Sequence, residues 1–392
     1  MNNTCTKMAL SELITQHTDV EKISDVKNER YITLSSYGKG AHERVIKDGK
    51  YPVPFSGYRV SAGQFIYSRI DARNGAYDIV PSELEGCVVS KDFPVFDVDS
   101  SKVLPRYLLR SVLSNSFIEQ VKKSSFGATN RMRIKEDVFG AYLISVPSLE
   151  EQAEIVECID KVQSIIDLRR RELDRIDNLI KARFVEMFGD PVKNSKKWKT
   201  YQLSECLDRI DNGKSFICSD KPREGDCPAI LKLSAATYGD YRPFENKALL
   251  DESQFVESAE VHTGDLLFTR KNTPELVGMA AYVQETPSKL MMPDLIFRLV
   301  PNDRINVVFL WQLINCKEFR PIIRAISSGS AKSMSNISKE RLGRIRVICP
   351  PKELQDDFIP FVKQVDKSKV AIQKALDETQ LLFDSLMQKH FG

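Results

Sequence analysis

The sequence predicts a mixed α/β (α+β) fold in which two similar domains are each followed by a long amphipathic helix. The main observation is an internal repeat: Gln152 corresponds to Gln355 and Gly189 corresponds to Gly392, both at a spacing of 203 residues. A second observation is that short β-rich runs, such as Phe65-Ile66-Tyr67, alternate with helical stretches. Duplication of a domain together with its helix predicts a molecule with pseudo-twofold symmetry.

The repeat divides the chain into four predicted segments. They are a first domain at 1–147, a first helix at 148–189, a second domain at 190–350 with a linker at 190–197, and a second helix at 351–392. Ser148 and Glu151, directly after Pro147, form a capping box that predicts the start of the first helix. Gly189 followed by Pro191 predicts its end.

Each predicted helix has an apolar stripe with the spacing of a coiled coil. A helix with one such stripe needs a partner, so we predict that the two helices pack on one another. The first stripe consists of Ile155, Ile159, Val162, Ile166, Leu173, Ile176, Ile180 and Met187. The second consists of Phe358, Phe361, Val365, Ile372, Leu376, Phe383 and Met387, with interruptions at Ser368 and Thr379.

Chain connectivity predicts the direction in which these helices pair. Each helix is on the order of 55 Å long, whereas the linker at 190–197 spans at most about 28 Å. The second domain must therefore begin near the far end of the first helix, and a second helix that pairs with the first must run back along it. The sequence thus predicts that two long antiparallel coiled-coil helices join the pseudo-symmetric domains.

Composition bounds the class of protein. With 42% hydrophobic and 28% charged residues, the 392-residue chain is typical of folded globular proteins, and its net charge of +3 is only weakly basic. Basic residues are nevertheless concentrated in two corresponding stretches, 121–135 and 320–346. Such segregation is typical of surfaces that contact phosphate, and a merely solvated basic face is the alternative.

Cysteine and histidine usage argues against a metal site or a disulfide framework. The eight cysteines occur singly and the four histidines are dispersed, so no metal site is predicted. Scattered thiols fit a reducing compartment, and we therefore expect a cytoplasmic protein. The N-terminus has no apolar signal core, and no run approaches the ~18 apolar residues of a membrane span, so no membrane partner is expected.

Two corresponding loops carry residue types that recognise base edges. They contain Arg69, Asp71, Arg73 and Asn74 in the first copy, and Arg270, Lys271 and Asn272 in the second. Arginine bonds to guanine, asparagine to adenine, and aspartate accepts from cytosine N4. A β-turn with a local Arg–Asp pair is the alternative for each residue. Because an arginine recurs at the same place, we predict that both loops contact DNA.

Further candidate DNA contacts lie in glycine-containing and aromatic loops. Near Gly127 and Gly329, where backbone N–H and hydroxyl groups suit phosphate, these are Lys123, Thr129, Asn130, Arg131, Ser330 and Lys332. A helix-ending glycine is compatible with that role. Two polar loops contribute Tyr37, Lys39, Lys232 and Tyr238, for which an ordinary surface loop is the alternative.

Catalytic motifs are missing from the sequence. It contains no Asn-Pro-Pro-Tyr or Asp-Pro-Pro-Tyr motif, no glycine-rich nucleotide loop, no His-Glu-x-x-His and no Gly-x-Ser-x-Gly. We therefore predict no catalytic residue and no cofactor for this chain, as expected of a recognition protein that is not an enzyme.

At this point the chain resembles the specificity (S) subunit of type I restriction–modification systems. The resemblance covers essentially the whole chain and rests first on the order of domain, long helix, domain and long helix. Locally it rests on the run from Phe65 to Gly75, on Pro147-x-Leu-x-x-Gln152 and Pro351-x-x-Leu-Gln355 at the helix starts, and on the Phe-Gly helix ends.

The resemblance implies a function and a set of partners. Each domain would be a target-recognition domain that reads one half of a bipartite, asymmetric target in double-stranded DNA, and the helices would set the unread spacer. Two modification (methyltransferase) subunits would dock on the helical regions and use S-adenosylmethionine. Restriction (translocase) subunits would supply a nuclease that needs ATP and Mg. The weakened stripe of the second helix, at Ser368, Lys369 and Thr379, departs from this pattern.

Two alternatives stay open on the sequence alone. One is a solitary DNA-binding or regulatory protein derived from such a subunit. The other is a coiled-coil scaffold whose globular ends bind protein. Co-purification with an adenine methyltransferase distinguishes a specificity subunit from the solitary protein. A steep salt dependence of DNA affinity distinguishes both of these DNA-binding proteins from the scaffold.

Overall fold

The computed structural model describes residues 6–126, 133–328 and 334–392. The chain divides into two compact units, of which unit 1 comprises 1–171 with 373–392 and unit 2 comprises 172–372. Each unit therefore contains one domain together with a part of each long helix. The division predicted from the sequence, which treats each helix as a segment of its own, stays a prediction.

Unit 1 is a mixed α/β domain. Its strands are β1 (Thr6–Ala9), β2 (Ile14–Gln16), β3 (Glu21–Ile23), β4 (Ile32–Ser35), β5 (Gly40–Glu43), β6 (Phe55–Arg59), β7 (Phe65–Tyr67), β8 (Tyr77–Ile79), β9 (Val88–Ser90), β10 (Val95–Val98) and β11 (Leu143–Val146). Its helices are α1 (Leu10–Leu13), α2 (Pro105–Val112), α3 (Asn115–Ser124), α4 (Glu136–Gly140) and the first part of α5 (Leu149–Phe188). The sheets have the orders β2-β10-β7-β8, β3-β6-β9, β1-β11 and β4-β5.

Strand β7 is an unbroken apolar run because both of its faces are buried. Phe65 and Tyr67 point to one side, where the Tyr67 ring lies 4.3 Å from that of Phe139 in α4. Ile66 points to the other side and packs with Val95 in a second cluster. Successive side chains of a strand face opposite sides of its sheet, and both sides of β7 are covered, so all three residues are buried.

Unit 2 repeats this arrangement. Its strands are β12 (Lys199–Gln202), β13 (Leu207–Asn212), β14 (Ala229–Leu231), β15 (Asn246–Ala248), β16 (Leu266–Thr269), β17 (Lys271–Asn272), β18 (Ala280–Tyr282), β19 (Leu290–Met291), β20 (Ile296–Pro301), β21 (Ser335–Asn336) and β22 (Arg346–Cys349). Its helices are α6 (Val307–Asn315), α7 (Arg320–Ala325), α8 (Lys339–Gly343) and the first part of α9 (Lys352–Phe391). The order β13-β20-β16-β18 matches β2-β10-β7-β8, and β12-β22 matches β1-β11. The predicted duplication of one domain is confirmed at the level of topology.

The predicted ends of the first long helix are confirmed. The backbone N–H of Glu151 donates to Ser148 Oγ at 3.3 Å, as expected of an N-cap. Gly189 has a φ of 76°, the left-handed conformation of a C-terminal cap, and its N–H donates to the Val185 carbonyl at 2.8 Å. The Trp198 indole donates to the Phe188 carbonyl at 2.9 Å and satisfies another unpaired group of the last turn.

The apolar stripes are also confirmed, since all their predicted members in α5 and α9 are buried or half-buried. The interruptions have polar partners. Lys369 bonds to Asp177 at 2.8 Å, whereas Ser368 and Thr379 donate to carbonyls of their own helix. Phe184, which is not a member of the predicted stripe, is only 2% exposed.

The helices run antiparallel within each unit, as predicted. In unit 2 the ring of Phe188 lies 5.5 Å from that of Phe358, while the earlier residue Asp177 meets the later residue Lys369. In unit 1 Arg170 donates to Gln380 at 3.4 Å, and the more N-terminal part of α5 shares a cluster with the last turns of α9.

A fully buried glutamine ties each long helix to its domain. Gln152 Oε1 accepts from the Leu104 N–H at 2.8 Å, and Nε2 donates to the carbonyls of Lys102 and Pro147 at 3.0 and 2.9 Å. Gln355 repeats the set, accepting from the Asn306 N–H at 2.7 Å and donating to the carbonyls of Arg304 and Pro350 at 3.1 and 2.8 Å. The repeat is thus preserved down to single hydrogen bonds.

Candidate nucleic-acid interface

In unit 1, the structure brings three segments with predicted DNA contacts together, and we call their surface face 1. They are the turn at 36–39 between β4 and β5, the loop at 68–75 after β7, and α3. The Tyr37 N–H donates to the Asn74 carbonyl at 2.6 Å, and the Gly38 N–H donates to the Gly75 carbonyl at 3.1 Å. A Cβ at Gly75 would lie 3.3 Å from Ile118 of α3. The loop at 68–75 is therefore the centre of face 1.

The loop at 68–75 is held by its own polar groups. Asn74 Nδ2 donates to Asp71 Oδ1 at 3.3 Å, and the Asp71 N–H donates to Ser68 Oγ at 3.2 Å. Gly75 ends this turn with a φ of 72°. The local turn weighed as an alternative for these residues is thus present, and Asn74 is one of the partners of Asp71 within it. Arg73 is half-buried beside them.

Arg69 is more enclosed than its candidate role suggests. Its guanidinium forms an ion pair with Glu136, the first residue of α4, and its side chain is 24% exposed. Its backbone is anchored on both sides, because its N–H donates to the Asp92 carbonyl at 3.0 Å and its carbonyl accepts from the Ile134 N–H at 3.3 Å. Sequence reasoning missed Glu136, although it lies directly after the basic stretch that ends at Lys135.

The exposed polar groups of face 1 are fewer than the basic stretch implies. Lys122 is paired with Glu119 at 2.7 Å and Arg133 with Asp92 at 3.1 Å. Lys39 and Lys123 are exposed, and no ion pair is found for either among the described residues. These two lysines carry the positive charge with which face 1 can meet phosphate.

In unit 2, Arg270 occupies the position that Arg69 has in unit 1. Its N–H donates to the Leu295 carbonyl at 3.0 Å, and its carbonyl accepts from the Ile337 N–H at 2.8 Å. Its guanidinium lies 5.0 Å from the centre of the Phe297 ring and 3.4 Å from Asn336 Oδ1. The backbone anchorage is the same as in unit 1, whereas the side-chain partner differs.

The neighbouring candidates in unit 2 have structural partners. Lys271 lies 3.9 Å from Asp294 and Lys232 lies 3.6 Å from Glu245, and both lysines are 34% exposed. Asn272 is 6% exposed, and its Nδ2 donates to Thr237 Oγ1 at 3.1 Å. The Asn272 amide therefore holds two segments of the domain together, and its assignment as a base contact stays a prediction.

Tyr238 is exposed beside this site, and sequence reasoning missed the residue that supports it. The Arg242 guanidinium lies 4.7 Å from the centre of the Tyr238 ring and is held by Asp240 at 2.9 Å. The sequence carried no signal for this pair, because a spacing of four residues indicates contact only on a helix and this segment is a turn. We call the surface of Tyr238, Arg270 and Lys271 face 2.

Five predicted contacts lie outside the described residues: Thr129, Asn130, Arg131, Ser330 and Lys332. Their roles stay predictions. Across the described ranges, no group of His, Cys, Asp and Glu side chains is arranged to hold a metal ion. Within the same ranges, no helix combines the length and the apolar character needed to cross a bilayer.

Comparison with known proteins agrees with the resemblance seen in the sequence. The family described as type I restriction modification DNA specificity domain matches residues 11–178 and 195–379. The chain is 34% identical over 196 residues to the EcoEI specificity subunit of Escherichia coli, a match that covers 48% of this chain and 33% of that subunit. It is 25% identical over 296 residues to the EcoKI specificity subunit of E. coli K12, covering 71% and 63% of the two chains. The matches thus span less than two thirds of these relatives' lengths.

Solved structures share the fold at low identity. The type I restriction–modification S subunit from M. genitalium has a TM-score of 0.55 at 14% identity, over 100% of this chain and 97% of that one. A chain from a type I R-M system, solved in work on its complex assembly and conformational transition, has a TM-score of 0.56 at 19% identity, over 98% and 97%. Because the family match covers most of both repeats, we conclude that the chain belongs to the type I restriction modification DNA specificity domain family.

Proposed function

We propose that the chain is the sequence-specificity subunit of a type I restriction–modification complex, and that its two domains read the two halves of a bipartite, asymmetric target in double-stranded DNA. One observation carries the proposal. Faces 1 and 2 stand on the same strand order and share the backbone anchorage of Arg69 and Arg270, yet their side-chain partners differ. A shared scaffold with different loops suits two half-sites of different sequence.

The proposal includes partners. Relatives of this chain are specificity subunits of type I restriction enzymes. Two modification subunits with S-adenosylmethionine, and restriction subunits with ATP and Mg, supply the chemistry in this assembly, while the present chain supplies recognition only. The chain's own residues bind and orient the duplex and take no part in bond making or breaking.

The first test is co-expression with the cognate adenine methyltransferase, followed by co-purification and sequencing of methylated adenines in the host DNA. We expect a stable complex and methylation at one bipartite motif. A chain that binds specific DNA but no methyltransferase is instead a solitary regulator. A chain whose DNA affinity does not fall with salt is instead a protein scaffold, because phosphate contacts give a steep negative slope.

The second test separates base contacts from phosphate contacts. Arg69→Ala is expected to relax recognition in one half-site only, whereas Lys123→Ala is expected to weaken binding to all sequences alike and to reduce the salt slope by about one. Binding is measured by titration against targets altered in either half. Lys161→Ala, which removes an exposed charge from α5, is the control. An equal loss at both half-sites for Arg69→Ala contradicts the base-contact assignment.

A further inference from the structure

An exposed tyrosine occupies the same place in both domains. Tyr37 is followed by Gly38 and Tyr238 by Gly239, within otherwise different loops. A Cβ at Gly38 would lie 3.5 Å from Leu113 at the end of α2, and a Cβ at Gly239 would lie 3.5 Å from Asn315 at the end of α6. Because α2 and α6 are corresponding helices, the two turns are structural equivalents. The tyrosine has thus been retained where the surrounding sequence has diverged.

The backbone of the first turn holds Tyr37 in a strained conformation with its ring exposed. Tyr37 has a φ of 63°, which is disfavoured for residues with a Cβ, and its side chain is 80% exposed. The hydrogen bonds from its own N–H and from that of Gly38 to the loop at 68–75 hold the turn in place. Neither the backbone strain nor the exposure of an aromatic ring is explained by packing within the domain, and strained positions of this kind cluster at functional sites.

In the second turn, Gly239 and Arg242 fix the position of Tyr238. Gly239 has a φ of 92°, and its carbonyl accepts from the Trp311 indole N–H at 2.9 Å. The Arg242 guanidinium covers the Tyr238 ring at 4.7 Å and is itself fixed by Asp240, while the tyrosine stays 56% exposed. The ring is therefore oriented in advance, with exposed area left for a partner. Such preorganisation lowers the entropy cost of binding a partner that packs against the ring.

We propose that Tyr37 and Tyr238 are paired stacking residues, each of which packs its ring against a nucleobase in the half-site of its own domain. This inference rests on the proposed function. A nucleobase supplies the flat apolar surface that an exposed phenol ring matches, and the exposed Lys39 beside Tyr37 supplies positive charge for a neighbouring phosphate. The energy needed to unstack neighbouring base pairs depends on their sequence. An aromatic ring that packs against a base therefore adds selectivity without hydrogen bonds to base edges.

The experiment uses the full-length chain with its modification subunits and a target duplex that carries 2-aminopurine at one adenine at a time. This analogue changes emission when its stacking changes. We expect one responsive position in each half-site. Tyr37→Ala should abolish the response in one half-site only and Tyr238→Ala in the other, each with an affinity loss on the order of tenfold. Tyr37→Phe and Tyr238→Phe should keep both.

Tyr51→Ala is the matched control, because Tyr51 is an exposed tyrosine on a different loop of the same domain and is 40% exposed. Unchanged affinity and unchanged emission in Tyr37→Ala and Tyr238→Ala, with specific binding retained, overturn the stacking inference and leave the proposed function standing. Loss of response in both half-sites from either single variant also overturns it. If the unmutated complex binds no specific DNA, the proposed function fails as well.

Discussion

At the scale of residues, a contact between Cys206 and Cys349 changes the pKa of both thiols. Cys206 is fully buried, and a hydrogen bond between its thiol and the Cys349 sulfur is the largest influence on the pKa of both groups. Donation from Cys206 lowers the pKa of Cys349 to about 7 and raises that of Cys206. The Gln355 amide, which ties α9 to its domain, also lowers the pKa of Cys349. Cysteine counting cannot detect such a pair, because 143 residues separate its members.

We therefore predict that, among the cysteines that the structure describes, Cys349 is the one whose alkylation responds most sharply near neutral pH. The thiolate is the reactive form, so labelling by iodoacetamide should rise as the pH passes through about 7 and level off above it. Mass spectrometry of the labelled protein between about pH 5 and about pH 9 measures this pH dependence. In Cys206→Ala the donor is lost and the labelling midpoint should move to higher pH.

Cys227 is the internal comparison for this measurement. It is exposed, but its hydrogen bond to Glu252 raises the pKa of its thiol, so its labelling should rise only at higher pH. If Cys349 and Cys227 respond at the same pH, the assigned hydrogen bond between Cys206 and Cys349 is absent in solution.

At the scale of elements, the long helices depend on contacts at their ends. Phe184 packs with Phe188, Phe309 and Phe358 at ring distances of 5.0, 5.4 and 5.9 Å. Phe184→Ala should lower the free energy of unfolding of unit 2 by about 3–5 kcal/mol, because it leaves a cavity in a closed aromatic cluster. Urea unfolding followed by tryptophan fluorescence measures it, since both tryptophans, Trp198 and Trp311, lie in unit 2.

Leu179→Ala is the control for Phe184→Ala. Leu179 lies on the same helix but is 50% exposed, so its truncation should change stability by less than about 0.5 kcal/mol. A loss of similar size in both variants would contradict a special role of the aromatic cluster, because alanine has the highest helix propensity and cannot itself cause the loss.

The buried glutamines give a second prediction at this scale. Gln355→Ala removes the partner of the Asn306 N–H and of the Pro350 carbonyl in a fully buried place, and should cost about 3 kcal/mol in the same tryptophan-detected transition. Gln373→Ala, which removes an exposed glutamine from the same helix, should have almost no effect. An equal effect of the two variants would contradict a tie between α9 and its domain.

At the scale of the whole molecule, the prediction concerns the DNA target. If the helices set the unread spacer, inserting one base pair between the half-sites shifts them by about 3.4 Å and rotates them by about 35°. Affinity should then fall steeply, while the same insertion outside the target should leave it unchanged. Binding titrations against both duplexes measure this. Equal affinity for the two duplexes would mean that the domains bind their half-sites independently.

Much of the fold is encoded in local and repeated patterns. The start of α5 follows from Ser148 and Glu151 and its end from Gly189, because caps act on the nearest turn of backbone. The apolar stripes follow from residue spacing, and their antiparallel direction from the short linker. Duplication then predicts two domains of one topology, and the structure confirms each of these features.

The sequence by itself therefore determined the duplicated architecture, the paired helices and the family. Only the tertiary structure decided which candidate side chains face outward. Arg69 forms an ion pair with Glu136, which is 67 residues away, and the buried Asn272 donates to Thr237. Tyr37 and Tyr238, by contrast, are exposed on equivalent turns. The physical reason is range: periodicity and capping depend on residues a few positions apart, while burial and pairing depend on segments that only folding brings together.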